Sequence, residues 1–406
     1  MMRRLNRSPL PHAPPRPSLL LISATYVIGE NRKKLEALAE HFDLTCVTCT
    51  RARGFGMEID LQKQSQPVGY RLIGLQALGN SGNTTRYILR GLRKVVRDGR
   101  ANIILIEAEP WALIRWQAWL WKKVHRPHAL FGEFSWENIE RFGIKGQILR
   151  GIYRAAVATD DFVIAGNQDA KAILERRGMS ASRLLVSPQL GVDETYFRPA
   201  EGAERGRIRA GFGFPPDAIV IGFCGRLEWE KGVPDLVRAV ESLRANAPGR
   251  DIRLAIIGHG TLREQLGQNE AGGGWMRVFP ARSHSEIAPF FQALDLFVLP
   301  SKEIPGVWKE QFGHVLIEAM ACGVACVGSD SGAIPEVLGD NMLTFPAGDV
   351  PALTERLSSL IVSAEIGHRM RERVLRHFTN HAVAAQWAAF ILSRLHDNKS
   401  QVDPLD

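Results

Sequence analysis

Two segments in the second half of the chain combine residue types and spacings that can do chemistry. The first, Gly225-Arg226-Leu227-Glu228-Trp229-Glu230-Lys231-Gly232, stands between an apolar run, 218–224, and an amphipathic one, 233–246. That order predicts a strand, a tight glycine turn at Gly225 and a helix. Glycine lets backbone approach a ligand closely, and the helix that follows offers its N-terminal amides to an anion. Arg226 and Lys231 add two cations at the same mouth, which suits a diphosphate; the plainer reading is a surface turn with two solvated cations. The second segment, Glu310-Gln311-Phe312-Gly313-His314-Val315-Leu316-Ile317-Glu318, holds two carboxylates separated by seven residues. A helix begun near Gly313 would aim free amides at a phosphate, with Glu310 just outside it. Glu318 would then sit more than one turn in, among apolar residues. A carboxylate there is costly unless hydrogen-bonded, and ribose hydroxyls would satisfy it.

The elements that must hold these residues are short apolar runs alternating with longer amphipathic ones. In the first half, strands are expected at 19–24, 44–50, 102–106, 128–134 and 162–165. Helices are expected there at 31–41, 84–97, 111–124 and 148–158. Glycine, proline and charge accumulate between Pro199 and Pro216, where a boundary is placed. Beyond it, strands are expected at 218–224, 252–257, 294–300 and 324–328, and helices at 233–246 and 315–322. The chain then reads as helical from Asp349 to about His396. Two successive strand–helix alternations imply an α/β protein with two parallel-sheet domains, residues 18–199 and 200–379, and a cleft between them. Residues 1–17, rich in Arg and Pro, read as a disordered leader.

Composition narrows the function class. The 406 residues are 45% hydrophobic and 23% charged, an ordinary globular balance. No apolar run approaches the roughly 20 residues of a spanning helix. The five cysteines include a Cys46–Cys49 pair, but the pair lies in a strand-like run without a second such pair, so buried reduced thiols are expected. A cytoplasmic protein is implied. Net charge is +8, divided unevenly: 30 basic residues against 18 acidic up to Pro199, and 21 against 25 after it. The basic half suits an anionic membrane surface, although a solvated face without a partner is equally consistent. No nucleic-acid partner is expected. Trp111, Trp116, Trp119 and Trp121 share one expected helix with Lys122 and Lys123 close by, a composition that fits either core packing or a membrane interface. A dinucleotide-dependent oxidoreductase would need a Gly-x-Gly-x-x-Gly after the first strand, which Tyr26-Val27-Ile28-Gly29-Glu30-Asn31 does not supply.

The Gly-Arg-Leu-x-x-Glu-Lys-Gly turn and the Glu-x7-Glu segment resemble glycosyltransferase family 4, the retaining enzymes of the GT-B fold. The resemblance runs through Pro300-Ser301, Trp308–Gly313, Glu318–Gly323, Gly328–Gly332 and Ile334-Pro335-Glu336, nearly the whole second half in order. It implies two Rossmann-like domains facing across a cleft, donor site in the second and acceptor site in the first, with a last helix, about 380–397, crossing back. It implies that Arg226 and Lys231 neutralise the diphosphate of a nucleotide sugar, that Glu310 binds sugar hydroxyls and Glu318 the ribose. Backbone at Gln311, Phe312 and Gly313 would hold the distal phosphate, and Arg282 would stand where the family cradles the base.

In the first half, Gly29, Glu30 and Asn31 occupy the family's flexible loop after the first strand, close to the reacting centre, which implies Gly29 as a donor-binding residue and Glu30 and Asn31 on the acceptor side. Many members carry a histidine at a later strand end; here Glu107 takes that position as a catalytic candidate, a carboxylate that could position or deprotonate the acceptor hydroxyl or contact the sugar. Glu109 lies on the same side if the strand continues, where a helix-capping carboxylate is the plainer reading, and Asn138 lies further along the cleft. The resemblance implies front-face attack without a protein nucleophile, and with neither metal nor cofactor beyond the donor; the chain has no Asp-x-Asp. The expected activity is transfer of a hexose-type sugar to a lipid-linked or polysaccharide or glycolipid acceptor at the cytoplasmic membrane face. The alternatives are a nucleotide-sugar epimerase of the same fold and a non-catalytic nucleotide-sugar-binding module.

Overall fold

The computed structural model describes residues 16–54, 57–63, 68–79, 85–270, 274–361 and 364–402. Most of the expected leader, 1–17, lies outside them. Apolar runs bounded by glycine or polar turns form two parallel sheets. The first contains β1 (Ser18–Ile22), β2 (Asp43–Cys49), β3 (Arg71–Leu75), β4 (Ile103–Glu107), β5 (Leu130–Ser135), β6 (Phe162–Ala165) and β7 (Leu184–Val186). Its spatial order is β7-β6-β5-β4-β1-β2-β3. The second contains β8 (Ile219–Arg226), β9 (Ile252–His259), β10 (Met276–Pro280), β11 (Leu296–Leu299), β12 (Ala325–Ser329) and β13 (Thr344–Phe345), in the order β10-β9-β8-β11-β12-β13. In each sheet the chain winds outward from its first strand one way, then reverses. Ligands of such sheets bind outside the strand carboxyl ends at the reversal, here beyond β1 and beyond β8.

Several local expectations are corrected. The helix expected over 84–97 is a strand, Tyr87–Leu89, paired antiparallel with Ala77–Gly79, and only then a helix, Leu92–Asp98. Gly91, at φ +93°, makes the break, a conformation that L side chains rarely adopt. The hairpin of Arg51–Gly54 with Met57–Asp60, and the edge strands β3 and β10, are further elements that the periodicity does not announce. The helix expected from Ile148 starts at Gly143. Cys46 and Cys49 are buried free thiols on β2. The four tryptophans of the Leu113–His125 helix and its approach are half-buried: Trp111 packs edge-on against Tyr153, and Trp116 donates to the Pro110 carbonyl at 3.0 Å.

The chain crosses between the sheets twice, and the crossings are bonded to each other. Val192 N donates to Phe378 O at 2.8 Å, and Asn380 N donates to Val192 O at 3.2 Å. A Cβ on Gly191 would lie 2.4 Å from the Thr379 carbonyl carbon, so this contact requires glycine. After the second crossing the helix Asn380–Val402 returns to the first sheet, burying Val383, Trp387 and Ile391 against Leu19, Phe134 and Phe162.

Trp387 also roofs a buried ion pair. Lys34 Nζ lies 3.2 Å from the Glu107 carboxylate, with both side chains 0% exposed, and 3.0 Å from the Trp387 ring centre. Burial, opposed by the charge of Glu107, brings the Lys34 pKa down to about 8. The Tyr26 hydroxyl and Gln189 Nε2 donate to the same carboxylate at 2.9 and 2.8 Å. Removing one partner of a buried pair strands the other, at about 3–5 kcal/mol. Lys34→Met is expected to lower the free energy of urea unfolding by an amount in that range, and Lys34→Met with Glu107→Gln by clearly less.

Candidate functional site

A cavity of about 470 Å³ opens between the two sheets at both reversal points. From the first sheet's side come Ile28, Glu30 and Asn31, on the turn that follows β1. From the second come Gly225 and Arg226 at the end of β8, Gly258 and His259 at the end of β9, and Ala281 and Arg282 just past β10. The helix His314–Ala321 contributes His314 and Glu318, and the two crossings contribute Asp193 and Asn380. Of the residues singled out in the sequence, Glu30, Asn31, Gly225, Arg226, Arg282 and Glu318 thus meet on one wall or another.

Lys231 and Glu310 stand beside this cavity and are engaged with each other. Lys231 Nζ is 2.7 Å from Glu310 Oε2, which also accepts from Ser301 Oγ at 2.9 Å. Lys231 closes a short turn, Trp229–Lys231, that leads into the helix Val233–Asn246. Gly232 joins the two at φ +69°, and a Cβ there would fall 1.9 Å from Pro300 O, so the turn can approach the Pro300–Ser301 strand end only with glycine. Arg226 is tethered to Glu230 at 2.9 Å and remains partly exposed to the cavity.

The segment carrying Gln311, Phe312 and Gly313 runs along the seam between the two sheets. Asn138 Nδ2 donates to Glu310 O at 3.0 Å and Asn167 Nδ2 to Gln311 O at 2.8 Å, while Gln311 Nε2 reaches Trp136 O at 3.3 Å. Phe312 is buried, 5.8 Å from the Trp136 ring. Gly313, at φ +81°, caps the helix, which begins at His314 as the spacing requires.

Four residues of the first half expected at the site, Gly29, Glu107, Glu109 and Asn138, stand outside the cavity lining. Gly29 adjoins the cavity lining without joining it, its amide donating to Gln62 Oε1. Glu107 ends β4 but its carboxylate turns inward to Tyr26, Lys34 and Gln189. β4 does not continue to Glu109, whose half-buried carboxylate accepts from Ser135 Oγ at 2.5 Å and Trp136 N at 2.9 Å. Burial raises the Glu109 pKa to about 7, its hydrogen bonds opposing. Asn138 sits at the seam, and its Oδ1 is buried without a hydrogen-bond partner among the described residues.

Two histidines escaped the sequence reading. His284 Nε2 lies 3.3 Å from Glu318 Oε1, and its ring meets Phe197 edge-on at 5.1 Å. The bond to Glu318 raises its pKa, with burial opposing and Glu30 and Asp193 adding to the rise. His314, half-buried beside Phe312 and Trp136 on the cavity wall, is held at about 4 by desolvation, so it is neutral at physiological pH. Nothing in the local pattern marks His284, because Glu318 is distant in sequence. Among the described residues no group of three or more His, Cys, Asp or Glu is arranged to hold a metal ion.

Two doubly wound sheets enclosing a cavity at their reversal points define the GT-B architecture. The structure matches that of the Anabaena protein HepE in complex with UDP, with a TM-score of 0.67 at 17% identity over 93% of this chain and all of that one. Residues 218–363 match the model of the glycosyl transferases group 1. An alpha-maltose-1-phosphate synthase from Mycolicibacterium smegmatis is 30% identical over 275 residues, 61% of this chain and 67% of the relative. A D-inositol 3-phosphate glycosyltransferase from Rhodococcus erythropolis is 31% identical over 188 residues, 44% of this chain and 40% of the relative. The chain belongs to the group 1 glycosyltransferases, glycosyltransferase family 4. It spans less than two thirds of the length of the D-inositol 3-phosphate glycosyltransferases that it matches.

The His284–Glu318 bond gives the site a pH signature. A histidine whose folded pKa is raised contributes stability that is fully present below its unfolded value, about 6.5, and is lost as pH rises through the folded value. The stability difference between the native chain and His284→Gln is therefore expected to shrink from pH 6 to pH 8.5, measured by chemical denaturation at both.

Proposed function

We propose that the chain transfers a hexose-type sugar from a nucleotide diphosphate donor, with retention of configuration, to a lipid-linked or polysaccharide or glycolipid acceptor at the cytoplasmic face of a membrane. The observation that carries this reading is the convergence of Arg226, Arg282 and Glu318 on one cavity, with the Lys231–Glu310 pair beside it. The names of the relatives, glycosyltransferase and synthase of phosphorylated sugars, support the reaction class. The UDP and UDP-glucose bound to HepE support a nucleotide sugar as donor.

In this reading Glu318 accepts from the ribose hydroxyls and Arg226 and Lys231 meet the diphosphate. Glu310, released from Lys231, takes hydroxyls of the sugar. As the bond from the anomeric carbon to the diphosphate breaks, its electron pair moves to the leaving oxygen, and the two cations stabilise the charge that grows there. The acceptor hydroxyl attacks the same face of that carbon and gives its proton to the departing diphosphate, so that no side-chain nucleophile takes part. Arg226 and Lys231 do the work of charge neutralisation, and the donor is the co-substrate with no further cofactor. No described helix is long and apolar enough to cross a membrane, so contact with one would be peripheral.

The test is thermal stabilisation and donor hydrolysis across UDP-, GDP- and ADP-sugars. One base is expected to stabilise the chain, and Glu318→Ala to weaken that nucleotide about 10–100-fold, the value of one or two charge-assisted hydrogen bonds. Stabilisation by none of them, or an unchanged affinity in Glu318→Ala, would remove the donor assignment.

A further inference from the structure

The helix Gly143–Thr159 covers the first sheet with Tyr153, Ala156 and Val157, all in its C-terminal half. Its beginning faces outward. Phe142, Ile144 and Ile148 are 77%, 79% and 61% exposed, although apolar side chains of this size usually gain by leaving water. Ile144 and Ile148 are one turn apart and share a face. From Arg141 to Thr159 the chain carries Arg141, Lys145, Arg150 and Arg154 and no acidic residue. Lys145, Arg150 and Arg154 are exposed. The neighbouring helix, Leu113–His125, packs against this one through Trp111 on Tyr153 and Arg115 on the Ala156 carbonyl. It presents exposed Leu113, Leu120 and Val124 with Lys123, and from Pro110 to Gly132 there is again no acidic residue.

The position of this surface matters as much as its composition. Asn138, which hydrogen-bonds Glu310 O across the seam, is four residues before Phe142, so the exposed turn follows directly on the seam between the two sheets. Carboxylates stand at the edge of this surface, where Glu137 pairs with Arg141 and Glu140 with Arg176 and Arg177. Apolar side chains interleaved with cations are complementary to a bilayer with anionic headgroups. A second copy of the chain is a poorer match, because a two-fold contact would set like cations against each other.

We propose that the start of the Gly143–Thr159 helix, flanked by Leu113–His125, is the surface by which this chain docks on an anionic lipid bilayer. Phe142, Ile144 and Ile148 enter the boundary between headgroups and acyl chains, and Lys145, Arg150 and Arg154 meet lipid phosphates. The proposal rests on the lipid-acceptor reading above and names the surface that brings the cleft to such an acceptor.

The full chain is to be sedimented with phosphatidylcholine vesicles and with vesicles of phosphatidylcholine and phosphatidylglycerol, at low and high salt. Binding is expected to the anionic vesicles alone and to weaken with salt. The triple variant Phe142→Ser, Ile144→Ser, Ile148→Ser should bind at least about tenfold more weakly, as should Lys145→Gln, Arg150→Gln, Arg154→Gln. Both should keep the native response to nucleotide sugars, which shows that they fold. Native-like vesicle binding by the serine variant would overturn the proposed surface while leaving the lipid-acceptor reading in place. Absence of vesicle binding by the native chain would overturn both. A native dimer that the serine variant dissociates would overturn the proposal in favour of a second copy.

Discussion

The pairing of Lys231 with Glu310 is the interaction on which the site turns. A carboxylate and an ammonium, both mostly withdrawn from water, meet at 2.7 Å where two strand ends and a helix start converge. Each would be costly alone, so the pair holds the Trp229–Gly232 turn against the Pro300–Ser301 strand end. The same constraint fixes the peptide groups after Glu310. Its carbonyl and that of Gln311 accept from Asn138 and Asn167 of the other unit, so the charge pair and the seam are set by one short segment. Gly332 belongs to this arrangement: at φ +51° it lies so close to the Glu310 carbonyl that a Cβ would be 2.0 Å from the oxygen.

Sheet topology decides where such a segment is useful. Both sheets reverse direction beyond their first strands, which leaves a crevice at each reversal, and the two crevices face one another to form the cavity. The paired crossings near Val192 and Thr379 join the units on one side of it. The returning helix is anchored by Trp387 over Lys34, and Gln189 ties that buried network to the seam by accepting from Trp136 Nε1 at 3.1 Å. Trp136 in turn packs on Phe312 and His314, so a continuous set of contacts links the buried charge pair of the first unit to the cavity wall of the second.

What could be read in the sequence follows from how local each signal is. The turn from Gly225 to Gly232 and the helix after Gly313 were legible because apolar runs and glycines mark their ends within a few residues. The Tyr87–Leu89 strand was not, since its supports, pairing with Ala77–Gly79 and the Gln117 amide bonded to the Leu89 backbone, come from elsewhere in the chain, and its residues continue smoothly into a helix-like pattern. β10 is an edge strand of five residues with a weak alternation, and only β9 makes it a strand. Glu107 was correctly placed at a strand end, but the direction of its carboxylate is set by Lys34 and Gln189, which lie far away along the chain. His284 acquires its character from Glu318 in the same way.

In the proposed reaction, donor binding exchanges one partner of Lys231 for another: the ammonium leaves the Glu310 carboxylate for a diphosphate. Calorimetric titration of the matching nucleoside diphosphate, without sugar, into the native chain and Glu310→Gln tests this directly. Removing the competing carboxylate is expected to tighten the nucleoside diphosphate severalfold while sugar transfer falls, and the gain should vanish when Lys231→Met is added. A nucleoside diphosphate that binds Glu310→Gln no better than the native chain would contradict the exchange and leave the pair a purely structural brace.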